Sequence, residues 1–304
     1  MPRANSSSDY MVKLRAVIPD DAFTAGILGL ERVGNGCIIN ADGLILTIGY
    51  LITEAVDVWL TLAEGREVAG HALAYDQVTG FGLVMPLQNP GIAPVRLGVS
   101  ARVAVGDELR VVSSAEFAAP QTVHVSARRE FTGAWEYLLE GALFTVPAHP
   151  HWSGAALMNA EDELVGLGSL LVRESVAGND LNANMFVPID VLKPILSDLT
   201  LRGRSKLESR PWLGVYAVEV AAKVYITGVA EGSPAEGAGI GEGDLIAQVD
   251  GHPVANLAQF YRRLWSLGPA GVAVPLTVIR GGTRLQINIR SVDRADLLKH
   301  PQPN

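Results

Sequence analysis

Residues 228–260 read GVAEGSPAEGAGIGEGDLIAQVDGHPVANLAQF. Glycines punctuate this stretch at turn positions, in Gly-Ser-Pro-Ala (232–235), Ala-Gly-Ile (238–240), Gly-Asp-Leu-Ile (243–246) and Val-Asp-Gly (249–251), with apolar strand positions between them. The stretch runs into the clearest helix signal of the chain, NLAQFYRRLWSLG, with Asn256 as N-cap and Gly268 just past the end. Two β-rich runs follow, VAVPLTVIR and TRLQINIR, joined by a turn at Gly281-Gly282. Upstream lies a charged stretch, RGRSKLESR, that reads as a linker. A small mixed α/β domain over residues 211–295 is expected, after a linker at 201–210 and before a polar, disordered tail at 296–304.

The rest of the chain has a different texture. From about Val12 to Leu196, short β-rich runs alternate with turn signals, and no long amphipathic helix interrupts them. NADG (40–43) lies between two apolar runs and predicts a hairpin, as does AEGRE (63–67). Many short strands at this spacing mean a barrel or a sandwich. VPIDVLKPILSDLTLRG reads as a strand end followed by a helix with Asp190 at its N-cap. Residues 1–10 are polar and read as frayed, so the first domain is expected over 11–200.

The totals limit what such a chain does. It has 304 residues and a net charge of -8. That length suggests two domains, and that charge argues against nucleic-acid binding, which needs a basic face. The single cysteine, Cys37, excludes an internal disulfide, and its place in NGCIIN reads as a buried strand. No run approaches the ~20 apolar residues of a membrane span, and the N-terminal residues lack the apolar core of a signal peptide. The expected compartment is cytoplasmic if the sequence is complete. No phosphate loop is present. His149 and His151 are two residues apart with no convincing third ligand, so no metal and no cofactor are expected.

The motifs of residues 232–251 resemble the PDZ domains of the HtrA/DegP serine proteases. The resemblance places a carboxylate-binding loop at Trp212, Leu213, Gly214 and Val215, with Gly214 letting the backbone turn its amides toward an anion. A peptide would add to the edge strand near 215–220, and its terminal carboxylate would sit in the loop. Leu257, Tyr261 and Leu264 share one helix face. Spacing alone leaves open whether that face is core or groove; the resemblance makes it the groove wall, selecting apolar C-terminal residues.

The first domain resembles the same family. GNGCIINADGLILT, DVWLTLAEGREVAGHALAYDQVTGFGLVMP, VRLGVSARVAVGDELRVV and MFVPIDVLKPIL are similar to its successive segments. The resemblance implies a mainly β, two-barrel trypsin-like domain, with an active site between the barrels. PHWSGAALMNAEDELVGLGSLL (150–171) reads as the loop of a serine nucleophile, Ser153. Such a serine needs a base, the base needs a carboxylate, and the developing oxyanion needs backbone N–H donors.

The motifs depart from the family at those points. The histidine should follow Leu-Thr, but LTIGYLI carries Tyr50 there. The aspartate should follow Thr79, but VTGFGLV carries Gly80. The serine loop reads HWSGAA, with His151 at the position of the oxyanion glycine. His71 and His124 fall on predicted strands, Lys193 on the helix and Asp76 on a turn, so none supplies the missing base.

The expected protein is therefore an HtrA-like homologue that has lost catalysis and binds peptides. Its partners would be protein C-termini or unfolded polypeptides, as in protein quality control. Family analogy adds a homotrimer or assembly with active relatives, and an extracytoplasmic compartment if a signal was removed. The alternative is an active serine-type endopeptidase using Ser153 with a non-standard base.

Overall fold

The computed structural model describes residues 9–176 and 178–299. The chain forms two compact units. Among the described residues the first comprises 9–129, 140–176, 178–206 and 298–299; the second comprises 130–139 and 207–297. The decapeptide 130–139, expected within the first domain, belongs to the second unit. It does so because Leu138 is buried in that unit's hydrophobic core.

The first unit begins with a closed six-stranded barrel. Its strands are β1 (Met11–Val17), β2 (Glu31–Ile38), β3 (Ile45–Ile48), β4 (Asp57–Thr61), β5 (Glu67–Tyr75) and β6 (Phe81–Pro86), in the order β1-β2-β3-β6-β5-β4. A short helix, α1 (Ala25–Leu28), lies between β1 and β2. Alternation drives the closure: along β1, Val12, Leu14 and Ala16 are buried while Lys13 and Arg15 are more open. The inward residues meet Ile38, Ile45, Leu60 and Val84 in one core. The NADG hairpin forms as expected, with the Leu44 amide donating to Asn40 Oδ1 at 2.8 Å and Gly43 at a φ of 85°. Cys37 is buried in β2.

Seven more strands make the second sheet: β7 (Arg96–Leu97), β8 (Glu108–Val112), β9 (Gln121–Gly133), β10 (Tyr137–Val146), β11 (Ala156–Met158), β12 (Glu163–Val176) and β13 (Asn179–Pro188). Their order is β11-β8-β9-β10-β13-β12-β7, and a further β11–β12 pairing closes the sheet on itself. Its core includes Leu109, Val111, Val123, Leu143, Leu157 and Phe186. The expected two-barrel domain is thus formed. The helix after it, α2 (Leu196–Arg202), is not capped by Asp190. That carboxylate instead accepts the Ala101 amide at 2.7 Å and the Lys193 ammonium at 2.6 Å, because a tertiary donor is within reach.

In the second unit the main sheet runs β14 (Val215–Val220), β15 (Lys223–Val229), β16 (Leu245–Val249), β18 (Ala273–Arg280), β19 (Thr283–Arg290), with β17 (His252–Pro253) paired to β16. β14 lies at one edge of this order. Two helices complete the unit, α3 (Pro234–Gly237) and α4 (Leu257–Ser266). Asn256 caps α4, its Oδ1 accepting the Gln259 amide at 2.8 Å, a contact typically worth about 1 kcal/mol. Leu257, Phe260, Tyr261 and Leu264 turn inward from α4, each burial contributing roughly 1.5–3 kcal/mol. The sequence reading made residues 296–304 a disordered tail. Arg294–Leu297 form a 3-10 turn, and the Lys299 amide, within the first unit, donates to Glu54 Oε1 at 3.0 Å. Residues 300–304 of that expected tail, and residues 1–8 of the expected frayed N-terminus, lie outside the described residues.

Candidate active site and peptide groove

In the first unit, Tyr50 sits on a 3-10 turn, Gly49–Leu51, directly after β3. Ser153 sits on the loop between β10 and β11. The fold brings them together: Tyr50 Oη lies 2.7 Å from Ser153 Oγ. Tyr50 also donates to the carbonyl oxygen of Ser169 at 2.8 Å. A carbonyl only accepts and a phenol has one proton, so that proton is committed to Ser169. Ser153 is then the donor to Tyr50.

This arrangement is a poor start for nucleophilic attack. To remove the Ser153 proton, Tyr50 would have to be a phenolate. Burial pushes its pKa up to about 12, against hydrogen bonds from Ser153 and Trp152 that lower it. At neutral pH the phenol therefore keeps its proton.

The expected carboxylate position is also empty of chemistry. Gly80 has a φ of 84° and spends its backbone on the turn: its amide donates to Asp76 O at 2.7 Å, and its carbonyl accepts the Gly49 amide at 2.8 Å. Asp76 is a turn residue, as its place in the sequence implied. Its Oδ2 accepts the Thr79 amide at 2.8 Å and the Thr79 hydroxyl at 2.6 Å.

The histidines beside Ser153 do not replace the base. The His151 amide donates to His149 Nδ1 at 3.1 Å, and His149 Nε2 is buried without a hydrogen-bond partner. Neither nitrogen of that ring engages Ser153. Burial, with the neighbouring His151 charge, lowers the His149 pKa. The His151 ring stacks on Phe117, with centroids 4.8 Å apart. The amide that the resemblance assigns to the oxyanion site is thus engaged by an imidazole. Among the described residues no group of three or more His, Cys, Asp or Glu side chains is placed to hold a metal ion.

Asn35, on β2, was not singled out by sequence. Its amide and its Nδ2 donate to Ser153 O at 2.8 and 3.0 Å, its Nδ2 also donates to His151 O at 3.0 Å, and its Oδ1 accepts the Ser114 amide at 2.8 Å. Gly154 must be glycine here. Its φ is 73°, and a Cβ would stand 1.9 Å from Asn35 O. Ser153 is therefore held firmly by its backbone, and its hydroxyl bonds Tyr50.

In the second unit the backbone amides of residues 213–215 bind a side-chain carboxylate of the chain itself, that of Glu136. The amides of Leu213, Gly214 and Val215 donate to Glu136 Oε1 at 3.2, 2.7 and 3.0 Å, and Leu213 also reaches Oε2 at 3.1 Å. Gly214 has a φ of 85°, and a Cβ there would stand 2.2 Å from Ser233 Cβ. Trp212 is not one of these donors. Its amide and carbonyl pair with Val292, both at 3.1 Å, in an isolated antiparallel bridge outside the sheet.

The strand edge is engaged too. The Ala217 amide on β14 donates to Ala134 O at 2.8 Å. Tyr261 Oη donates to Gly133 O at 2.8 Å and accepts the Glu136 amide at 3.2 Å. Leu257, Tyr261 and Leu264, expected to wall an open groove, are buried in one core that includes Leu138. Of the two readings that helical spacing left open, the structure shows this stripe covered.

Two sequence models match the chain: a trypsin-like peptidase domain over residues 34–167 and a PDZ domain over residues 211–290. A probable periplasmic serine endoprotease DegP-like of Ectopseudomonas mendocina (strain ymp) is 26% identical over 274 residues, which is 85% of this chain and 56% of that protein. A putative serine protease HhoA of Synechocystis sp. is 27% identical over 286 residues, covering 85% of this chain and 70% of that protein. The chain spans little more than half the length of the DegP-like relatives it matches. The solved structure of the HtrA-type protease AlgW with decapeptide shares the fold at a TM-score of 0.57 and 19% identity, covering 97% of each chain. A serine endoprotease from Yersinia pestis does so at 0.55 and 19%, covering 95% of this chain and 98% of that one. Among the described residues no helix is long and apolar enough to cross a membrane.

Proposed function

This chain belongs to the HtrA family, a trypsin-like peptidase domain followed by a PDZ domain, and on that premise we propose that it is a peptide-binding member without proteolytic activity. The single observation behind this reading is the Tyr50–Ser153 hydrogen bond, with the Tyr50 proton committed to Ser169. Fold alone does not confer hydrolysis; a site does. Gly80 provides no carboxylate, and the His151 amide is engaged by His149. Loss of single triad members costs on the order of 10⁴ in rate, and the joint loss leaves little to measure.

What remains is recognition. In this reading the three backbone amides around Gly214, which hold Glu136 in the chain as folded, and the edge strand β14, which bonds Ala134, are where a peptide carboxylate and an extended peptide would bind. The ligands in this reading are C-termini of proteins or unfolded chains, a role in protein quality control. Assembly as a trimer or with active relatives belongs to the same reading, and a monomeric mass at micromolar concentration would count against it.

The test is degradation of an unfolded protein by wild type and by Ser153→Ala from parallel purifications. Equal, background-level loss of substrate is expected. Cleavage that disappears in Ser153→Ala would remove the proposal and restore the alternative of an active endopeptidase.

A further inference from the structure

We propose that residues 133–138 are an internal ligand of the peptide groove, a latch that external C-termini must displace. The inference rests on the reading of the second unit as a binder of peptide carboxylates. Three kinds of interaction that such a peptide would make are already made by the chain itself. Glu136 presents a side-chain carboxylate to the Leu213, Gly214 and Val215 amides, where a terminal carboxylate would sit. Ala134 supplies the main-chain acceptor to the β14 edge through Ala217. Leu138, 7% exposed, shares the core with Leu257, Tyr261 and Leu264, in the role of the apolar side chain.

The latch is held from several sides. Tyr261 Oη clamps Gly133 O and the Glu136 amide. Arg262 on α4 pairs with Glu130. Trp135 and Tyr137 stack on each other with centroids 5.9 Å apart. Glu136 adopts a φ of 57°, an uncommon conformation for a non-glycine residue. That backbone strain is offset by the three amides that receive the carboxylate. A folded turn reaching the loop by a side chain, rather than a chain end, is what an internal mimic has to be.

A competitor bound in cis lowers the apparent affinity for any free peptide by the fraction of molecules that are open. The test uses the full-length chain, wild type and Glu136→Ala, with fluorescent ten-residue peptides of Gly/Ser sequence ending in Val, Leu or Phe. Each peptide is made with a free C-terminal carboxylate and as the amide. Binding of the carboxylate forms is expected to tighten about tenfold or more in Glu136→Ala, with the amides binding neither protein. Equal affinity of both proteins for the carboxylate forms would overturn the latch and leave the peptide-binding reading standing. No binding by either protein would overturn that reading, and the latch with it.

A second measurement needs only the wild type, should Glu136→Ala fold poorly. Saturation with a carboxylate peptide, followed by backbone NMR, should shift the Gly214 amide and raise the mobility of Trp135 and Glu136. A shifted Gly214 amide with Trp135 and Glu136 as rigid as before would overturn the latch.

Discussion

Tyr50 Oη lies 2.7 Å from Ser153 Oγ and gives its own proton to Ser169 O. With its own proton on Ser169, Tyr50 accepts the hydrogen bond from the Ser153 hydroxyl. Tyr50→Phe would remove both bonds and leave the Ser169 carbonyl without this donor. A loss of about 1–2 kcal/mol in urea unfolding is expected. Reactivity of Ser153 toward electrophiles should not fall, and a clear fall would mean that Tyr50 assists the serine.

Gly80 differs from an aspartate in its backbone as well as in its missing side chain. At a φ of 84° it occupies backbone space that costs an L-residue roughly 1–2 kcal/mol. Gly80→Asp should therefore lower stability by about that amount. Combined with Tyr50→His it should still not digest an unfolded substrate, because the His151 amide remains on His149. Digestion by the double variant would show that the oxyanion site is intact.

Glu54 anchors the first barrel. It accepts the Phe23 amide at 3.0 Å, the Thr24 amide at 2.7 Å, the Thr24 hydroxyl at 2.6 Å and the Lys299 amide at 3.0 Å. Arg32 joins the same network through Thr24 Oγ1 at 2.8 Å. Burial works against ionisation of Glu54, but these donors prevail and its pKa is lowered from 4.5. Its contribution is therefore complete above that ordinary value and is lost as pH falls through the lower folded one. Glu54→Gln should cost about 2–3 kcal/mol at neutral pH and weaken the acid dependence of unfolding. A change within error at neutral pH would contradict this.

Glu136 makes the proposed latch sensitive to pH. Burial pushes its pKa up to about 7, against the Val215, Leu213 and Gly214 amides and the charge of Arg294. The other titratable groups coupled to it are the Tyr261 and Tyr216 phenols, neutral at these pH values, both with raised pKa. Released into water, Glu136 would return toward 4.5. The latched state thus holds its proton more tightly, is fully favoured below the released value, and weakens as pH rises through about 7. The C-terminal carboxylate of a peptide stays ionised throughout. Peptide affinity should therefore rise several-fold between about pH 5.5 and pH 8 in wild type and stay flat in Glu136→Ala. A parallel pH dependence in both proteins would assign it elsewhere.

Much of this was legible in the residues. NADG and Asn256 announced a hairpin and a helix start because both are local: Asn40 and Asn256 each bond an amide three or four residues on. Tyr50 and Gly80 could be placed against a motif, and no distance was needed to see what they lack. Asp190 misled, since a local cap was outbid by the Ala101 amide, 89 residues away. Glu136 was invisible for the same reason. It lies in a turn between two strands, and the amides that receive it come 77 to 79 residues later. Backbone donors carry no residue-type signal, so only the folded chain pairs them with Glu136. Sequence pointed to the amides of residues 213–215 but not to the Glu136 carboxylate they bind.

The most direct measurement is the labelling of Ser153 by a fluorophosphonate, followed by intact mass on wild type and Ser153→Ala. No Ser153-dependent adduct is expected under conditions that saturate an active trypsin-like peptidase. A stoichiometric adduct on wild type that is absent from Ser153→Ala would contradict it, because it would mean that something does take the serine's proton.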